Sequence, residues 1–275
     1  MTALFQVKLW GVRGSLPVSG PMSRKFGGNT ICIEVRCGDH VLLFDAGSGL
    51  LPAGTALKAE GKKDLQMFFT HCHYDHIIGL PFFVPLYCDR SALTVSSGHA
   101  AGTMTTKEMI HEFMRKPFFP IGPDNCYATL ETRDFCAGDV LTPHPGIVIR
   151  TAMLNHPGNA IGYRIEWGGR AVAIITDTEH LPGALDPAVL ALINDVDLFV
   201  YDAAFTDEEF SRFIGYGHST WQQGVRLAQA SGARQVSLIH HSPWRTDDDL
   251  TKIERLAKKE FSGAFCGHDL QLIDI

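Results

Sequence analysis

No apolar run in this sequence approaches the ~20 residues needed to span a bilayer. The opening "MTALFQVKLWGVRGS" alternates as a strand does, without the longer apolar region and small-residue cleavage site of a signal peptide. A disulfide framework is missing as well: the 7 cysteines are odd in number and irregularly spaced, which suits a reducing compartment. These absences lead us to expect a cytoplasmic protein with no membrane association. Cationic excess is also lacking. With 24 basic residues against 30 acidic ones the net charge is −6, so no overall positive field attracts nucleic acid or anionic lipid, and only a local basic patch stays open. No low-complexity tract, charge block or repeat divides the 275 residues, and 45% hydrophobic content is enough for a sizeable core. One domain over residues 1–275 is expected, with nothing to decide whether it forms a homo-oligomer.

What is present is strand-rich. β-type runs fall at 4–10, 30–36, 41–45, 66–70, 92–96, 147–154, 161–167, 171–176, 197–202, 235–240 and 270–273. Helical patterns fit 48–60, 103–114, 187–194, 219–231 and 246–260, with Ser219, Thr220 and Asp247 as N-terminal caps and Gly232 as a stop. Strands precede the first long helix in each half, which suggests two sheets covered by helices. Residues 115–146 mix proline, glycine and aromatics without a period; the aromatics argue against disorder, so the expectation is an ordered insertion near a substrate entrance.

The stretch "FFTHCHYDHIIGLPFF", residues 68–83, places three histidines and an aspartate within six positions. On an extended chain His71 and His73 share a face while Cys72 points away. Asp75 and His76 follow in the turn leaving the strand. Imidazole and carboxylate are the ligands that borderline metals accept, and a strand followed by a loop can aim them at one point. Four such groups exceed what one tetrahedral ion takes from a single short segment, so further ligands are expected. Three later residues stand at strand ends: His156 after "IVIRTAMLN", Asp177 after "RAVAIIT" and His240 after "ARQVSLI". Taken singly, these also read as a loop histidine, a helix-capping aspartate and a strand-end histidine.

Taken together, "THCHYDH" and the ordered histidine, aspartate and histidine that follow resemble the metallo-β-lactamase-fold hydrolase superfamily, from about residue 5 to 245. The resemblance implies a four-layer αββα sandwich with a two-metal site on one edge of its sheets. It assigns His71, His73 and His156 to one metal and Asp75, His76 and His240 to the other, with Asp177 bridging. In "LIHHSP" the family's usual spacing favours His240 over His241. Zinc is the default for so many histidines, with manganese or iron compatible with the mixed set. Asp45, in "FDAGSGL", reads as a group that orients a ligand histidine.

The segments "DVDLFVYDAAF", 195–205, and "YGHSTW", 216–221, with "HPGNAIGYRIE", 156–166, resemble the phosphodiesterase branch that includes ribonuclease Z. There an acidic residue, here Asp202, pairs with the histidine of the "GHST"-like motif, here His218. Two metals ~3.5–4 Å apart can clamp phosphoryl charge and bring the pKa of a bridging water toward neutrality. The leaving oxygen still needs a proton, which His218 oriented by Asp202 would donate; "GHST" also reads simply as a helix start. Asp177, His218 and Asp202 are thus the expected catalytic set. Arg13 in "WGVRGS" and Asn29 and Thr30 in "FGGNT" are candidate substrate contacts, although such glycine-rich stretches also serve tight turns. No long glycine- and lysine-rich arm is present, so transfer RNA is not expected, and a small phosphodiester such as a cyclic nucleotide is preferred by analogy. The alternatives are a lactonase or thioester hydrolase on the same metals, and a metal-binding module without catalysis.

Overall fold

The alternation read in the sequence becomes two seven-stranded sheets packed face to face in a computed structural model that describes residues 4–275. Of the domain expected over 1–275, residues 1–3 therefore lie outside the description. The first half of the chain supplies β1 (Phe5–Gly11), β2 (Cys32–Cys37), β3 (His40–Phe44), α1 (Leu50–Ala59), β4 (Asp64–Phe69), α2 (Tyr74–Ile77), β5 (Ala92–Ser97), α3 (Thr106–Phe113) and β6 (Thr129–Asp134). The second half supplies β7 (Val140–Leu141), β8 (Val148–Leu154), β9 (Ala160–Trp167), β10 (Arg170–Ile175), α4 (Pro187–Ile193), β11 (Leu198–Asp202), α5 (Asp207–Phe210), α6 (Trp221–Ser231), β12 (Val236–Ile239), α7 (Asp247–Glu260) and β13 (Ala264–Cys266). The last strand, β14 (Gln271–Asp274), returns to the first sheet beside β1.

Both sheets follow one plan. β1, β2 and β3 pair antiparallel, after which β3, β4, β5 and β6 run parallel. In the second sheet β7 to β10 are antiparallel, after which β10, β11, β12 and β13 run parallel. Parallel neighbours need crossovers, and the helices lie there, covering the outer faces. Period-two alternation sorts the side chains: Val172 and Ile174 of β10 enter the core between the sheets with Val7, Leu9, Phe44 and Phe68, while Ala173 and Ile175 enter the core under α4, α6 and α7. A third core lies under α1 and α3. These are the four layers of the αββα sandwich, and each fully buried Leu, Ile or Phe contributes about 1.5–3 kcal/mol.

Helix ends follow local chemistry. Thr220 caps α6 by accepting from the Gln223 amide, and Gly232 ends it in the left-handed conformation. The cap expected at Asp247 belongs instead to Thr246, whose hydroxyl and the Asp249 carboxylate form a reciprocal box. Asp247 accepts from the backbone amides of Lys25 and Phe26. Residues 115–146 are less irregular than their composition suggests: they carry β6 and β7, which add to the rims of the two sheets. All 7 cysteines are free. Among the described residues no helix is long and apolar enough to cross a membrane.

Candidate metal centre

Parallel strands bring their carboxyl ends to one edge of a sheet, and in this chain those ends carry the chemistry. Asp45 follows β3, Thr70 to His76 follow β4, Asp177 follows β10, Asp202 ends β11 and His240 follows β12. His156 arrives from the turn between β8 and β9. The side chains expected as ligands therefore meet although up to 169 residues separate them, as from His71 to His240.

They meet in two groups that flank Asp177, each with its donor atoms within 4.8 Å of one another: His71, His73 and His156 form one, and Asp75, His76, Asp177 and His240 the other. Asp177 Oδ1 lies 3.2 Å from His76 Nε2, and its Oδ2 lies 3.3 Å from His240 Nε2 and 3.6 Å from His71 Nε2. A further group joins Asp177, Asp202, His218 and His240.

Hydrogen bonds on the far side of the rings decide which nitrogens face inward. Asp45, fully buried, receives the Thr70 amide, the Thr70 hydroxyl and, at 2.8 Å, His76 Nδ1. Having donated to Asp45, the Thr70 hydroxyl accepts from His71 Nδ1 at 3.0 Å. One buried carboxylate thus sets the tautomers of two histidines and leaves the Nε2 atoms of His71 and His76 inward, buried and without a partner. His156 Nδ1 donates to the Gly217 carbonyl at 2.8 Å, which turns its Nε2 to within 3.1 Å of His73 Nδ1. Buried acceptors without donors, converging on shared carboxylates, are the pattern a divalent cation satisfies.

The electrostatics of the two groups differ. Burial, then the neighbouring imidazoles, pushes His71 below the usual histidine range, and burial likewise lowers His73 and His156. For His76 and His240 burial acts the same way but is outweighed, chiefly by Asp177, so both are raised. Asp75 and Asp177 are correspondingly held well below the carboxylate range, burial notwithstanding, by His76 and His240.

Asp202 is fully buried and lies 3.0 Å from His218 Nδ1, while its oxygens also receive the amides of Thr178 and Ala204. The His218 ring stacks on that of His240 at 4.5 Å and lines a pocket of about 600 Å³ with His73, Asp75, His156, Asp177 and Tyr216. His241 points the other way: its Nε2 donates to the Gly267 carbonyl, and burial pushes its pKa down to about 3.

Arg13, Asn29 and Thr30 are elsewhere. The Arg13 side chain is fully buried, with Nε on the Gly27 carbonyl and Nη1 on those of Ser242 and Arg245, so it ties three loops together. Thr30 exchanges hydrogen bonds with Ser48, and the Asn29 carboxamide oxygen accepts from the Ser48 hydroxyl. None of the three lines the pocket, and substrate contact does not fit their placement. The glycine segment acts instead through Gly14, where a Cβ would lie 2.1 Å from the His240 ring, and through the Ser15 amide, which donates to Asp75. Gly217 backs His156 in the same way. Sequence reasoning also missed Glu179, which accepts from the Gly215 and Gly217 amides and so pins the loop carrying His218. Its position two residues after Asp177 was the available signal.

Ribonuclease Z from Myxococcus xanthus is 25% identical over 87% of this chain and 91% of its own length. Ribonuclease Z from Lactiplantibacillus plantarum is 26% identical over 86% and 88%. Among solved structures, the metallo-β-lactamase-fold protein YhfI from Bacillus subtilis superposes with a TM-score of 0.75 at 20% identity, covering 99% of this chain and 100% of its own. The short form of human tRNase Z gives 0.68 at 19%, and a diphosphatase from the PhnP family 0.72 at 18%, each covering 98% of both chains. These relatives overturn the expectation against transfer RNA. That expectation rested on a missing arm and on net charge, which describe how an RNA is gripped at a distance and do not describe the cleavage site. Residues 40–241 match the beta-lactamase superfamily domain, a span that holds every donor of the two groups, and the chain belongs to that family.

Proposed function

We propose that this metal-dependent hydrolase is a phosphodiesterase whose site holds two divalent ions, zinc being the default for its histidine-rich donors and manganese or iron compatible with them. His71, His73 and His156 would hold one ion, Asp75, His76 and His240 the other, and Asp177 would serve both. When bound, such ions supply charge stabilisation to phosphoryl oxygens and bring the pKa of a water toward neutrality. The chain's own part is to orient and to move a proton. Asp202 fixes His218 through Nδ1, which leaves Nε2 for a leaving oxygen in the pocket. Asp45 and Thr70 hold His71 and His76 in one tautomer. No lysine or arginine lines the pocket, so the charge of a bound phosphate has to be met at the donor groups.

The observation that carries this reading is the Asp202–His218 pair beside the donors: Asp202 is fully buried and His218 opens on the pocket, which puts a proton donor where the alkoxide of a phosphodiester would leave. Relatives named ribonuclease Z and tRNase Z make RNA, including transfer-RNA precursors, the first substrates to test. Metal-analysed protein should be assayed in parallel against bis-p-nitrophenyl phosphate, short RNA, transfer-RNA precursor transcripts, a lactone and a thioester. We expect about two ions per chain and diester hydrolysis that a chelator abolishes and added metal restores. Lactone or thioester turnover with none on any diester would reject the reading.

A further inference from the structure

Beside the metal pocket lies a second one of about 350 Å³, and Cys72 and Tyr74 line both. Its remaining wall is largely apolar, from Ile77, Met104, Met109, Phe113 and Phe118. Two of its rings stand open to solvent: Tyr74 is 77% exposed and Phe118 76% exposed. Exposed aromatics that cluster at the mouth of a pocket are a mark of recognition, since burying them elsewhere would stabilise the fold. The cation in this wall, Arg115, is paired with Glu112 at 2.7 Å and sits 5.5 Å from the Phe118 ring. Its charge is thus matched, and the pocket offers a phosphate little; it offers aromatic faces, thioethers and an aliphatic wall. A flat, uncharged, polarisable group fits that chemistry.

Position adds the rest. Tyr74 stands between His73 and Asp75, one residue from a donor of each group, so a ring stacked on it is anchored at the reacting phosphate. Phe118 comes from the 115–146 segment, which therefore borders this second pocket. We propose that this second pocket receives the nucleobase adjoining the scissile phosphate, stacked on Tyr74 and Phe118, so that the substrate is a nucleotide diester and not a simple alkyl or aryl one. The proposal rests on the phosphodiesterase reading.

The test uses full-length, metal-loaded protein and two esters with one leaving group, thymidine 5′-p-nitrophenyl phosphate and methyl p-nitrophenyl phosphate. Removing a base–aromatic stack lowers affinity on the order of tenfold. Tyr74→Ala and Phe118→Ala should each lose several-fold more kcat/KM on the nucleotide ester than on the methyl ester, mainly through KM, and Tyr74→Phe should restore the difference. Equal losses on both esters, or none, would overturn the proposal. Binding of AMP and of ribose 5-phosphate is measured on the same proteins. AMP should bind about tenfold tighter, an advantage Tyr74→Ala removes; equal affinities overturn the base pocket. If neither ester is cleaved, the parallel RNA and transfer-RNA precursor assays decide the phosphodiesterase reading by themselves, and the binding comparison alone decides the pocket.

Discussion

The two donor groups are built differently, and Asp177, a member of one, approaches the other with Oδ2 3.6 Å from His71 Nε2. Asp75, His76, Asp177 and His240 are all at most 6% exposed and include two carboxylates, with Asp45 behind His76. The other group has three imidazoles, one of them, His73, exposed, and no carboxylate of its own, Asp177 approaching it to 3.6 Å. A cation in the first is screened little by solvent and is met by opposite charge, whereas a cation in the second relies on neutral ligands beside an open pocket. The difference predicts that one ion is held more tightly, and that the looser one faces the substrate.

The strongest test removes the carboxylate that reaches both groups. Asp177→Ala should lose at least one ion per chain, because its carboxylate lies within 3.6 Å of histidines in both groups, and activity should fall with it; elemental analysis showing full occupancy of two ions would break the comparison. Next comes a contrast within the buried group. His240→Ala should lose the ion of that group, while His241→Ala should keep metal content and chiefly lower thermal stability, since His241 packs against Phe26 and bonds Gly267. The reverse pattern would mean that the neighbouring histidines exchange roles.

A third substitution separates proton transfer from metal binding. His218→Ala should retain both ions and lose on the order of 10²–10⁴-fold in kcat, the range for a positioned acid. Asp202→Asn should lose less, and both losses should shrink on nitrophenolate leaving groups, which depart without a proton; equal losses on good and poor leaving groups would remove the acid role. The smallest effect is expected at Glu179. Glu179→Gln keeps an acceptor for the Gly215 and Gly217 amides and should change kcat by less than about threefold, whereas Glu179→Ala frees the loop and should cost roughly tenfold, about 1.4 kcal/mol. Parallel kinetics on the two variants measure that gap.

Most of the architecture was legible because apolar alternation is local. The strands that were missed, β6, β7 and β13, lie at the rims. In "TLETRD" of β6 little is buried, so periodicity had no apolar face to report, and the two-residue β7 is too short to show any. The donors were readable because "THCHYDH" concentrates unusual residues and the later ones end apolar strands. Their supports were harder to see. Thr70 and Gly14 act through a hydroxyl relay and a close approach, which exist only once strands distant in sequence are neighbours. Arg13 misled for the same reason: an arginine in a glycine-rich turn reads as a phosphate contact until three backbone carbonyls close around it.

Three residues that leave parallel strands at the site, Asp45, Asp177 and His240, have left-handed backbone, with φ of 61°, 57° and 56°. Side chains with a Cβ enter that region at about 1–2 kcal/mol each, and the packed sheets have to offset it. Glycine would remove the strain at all three, along with the carboxylates and the imidazole. Selection for persistence of the fold alone would therefore drift toward glycine at these corners, and a lineage that had lost catalysis should betray it there first, as a protein sturdier without metal than this one.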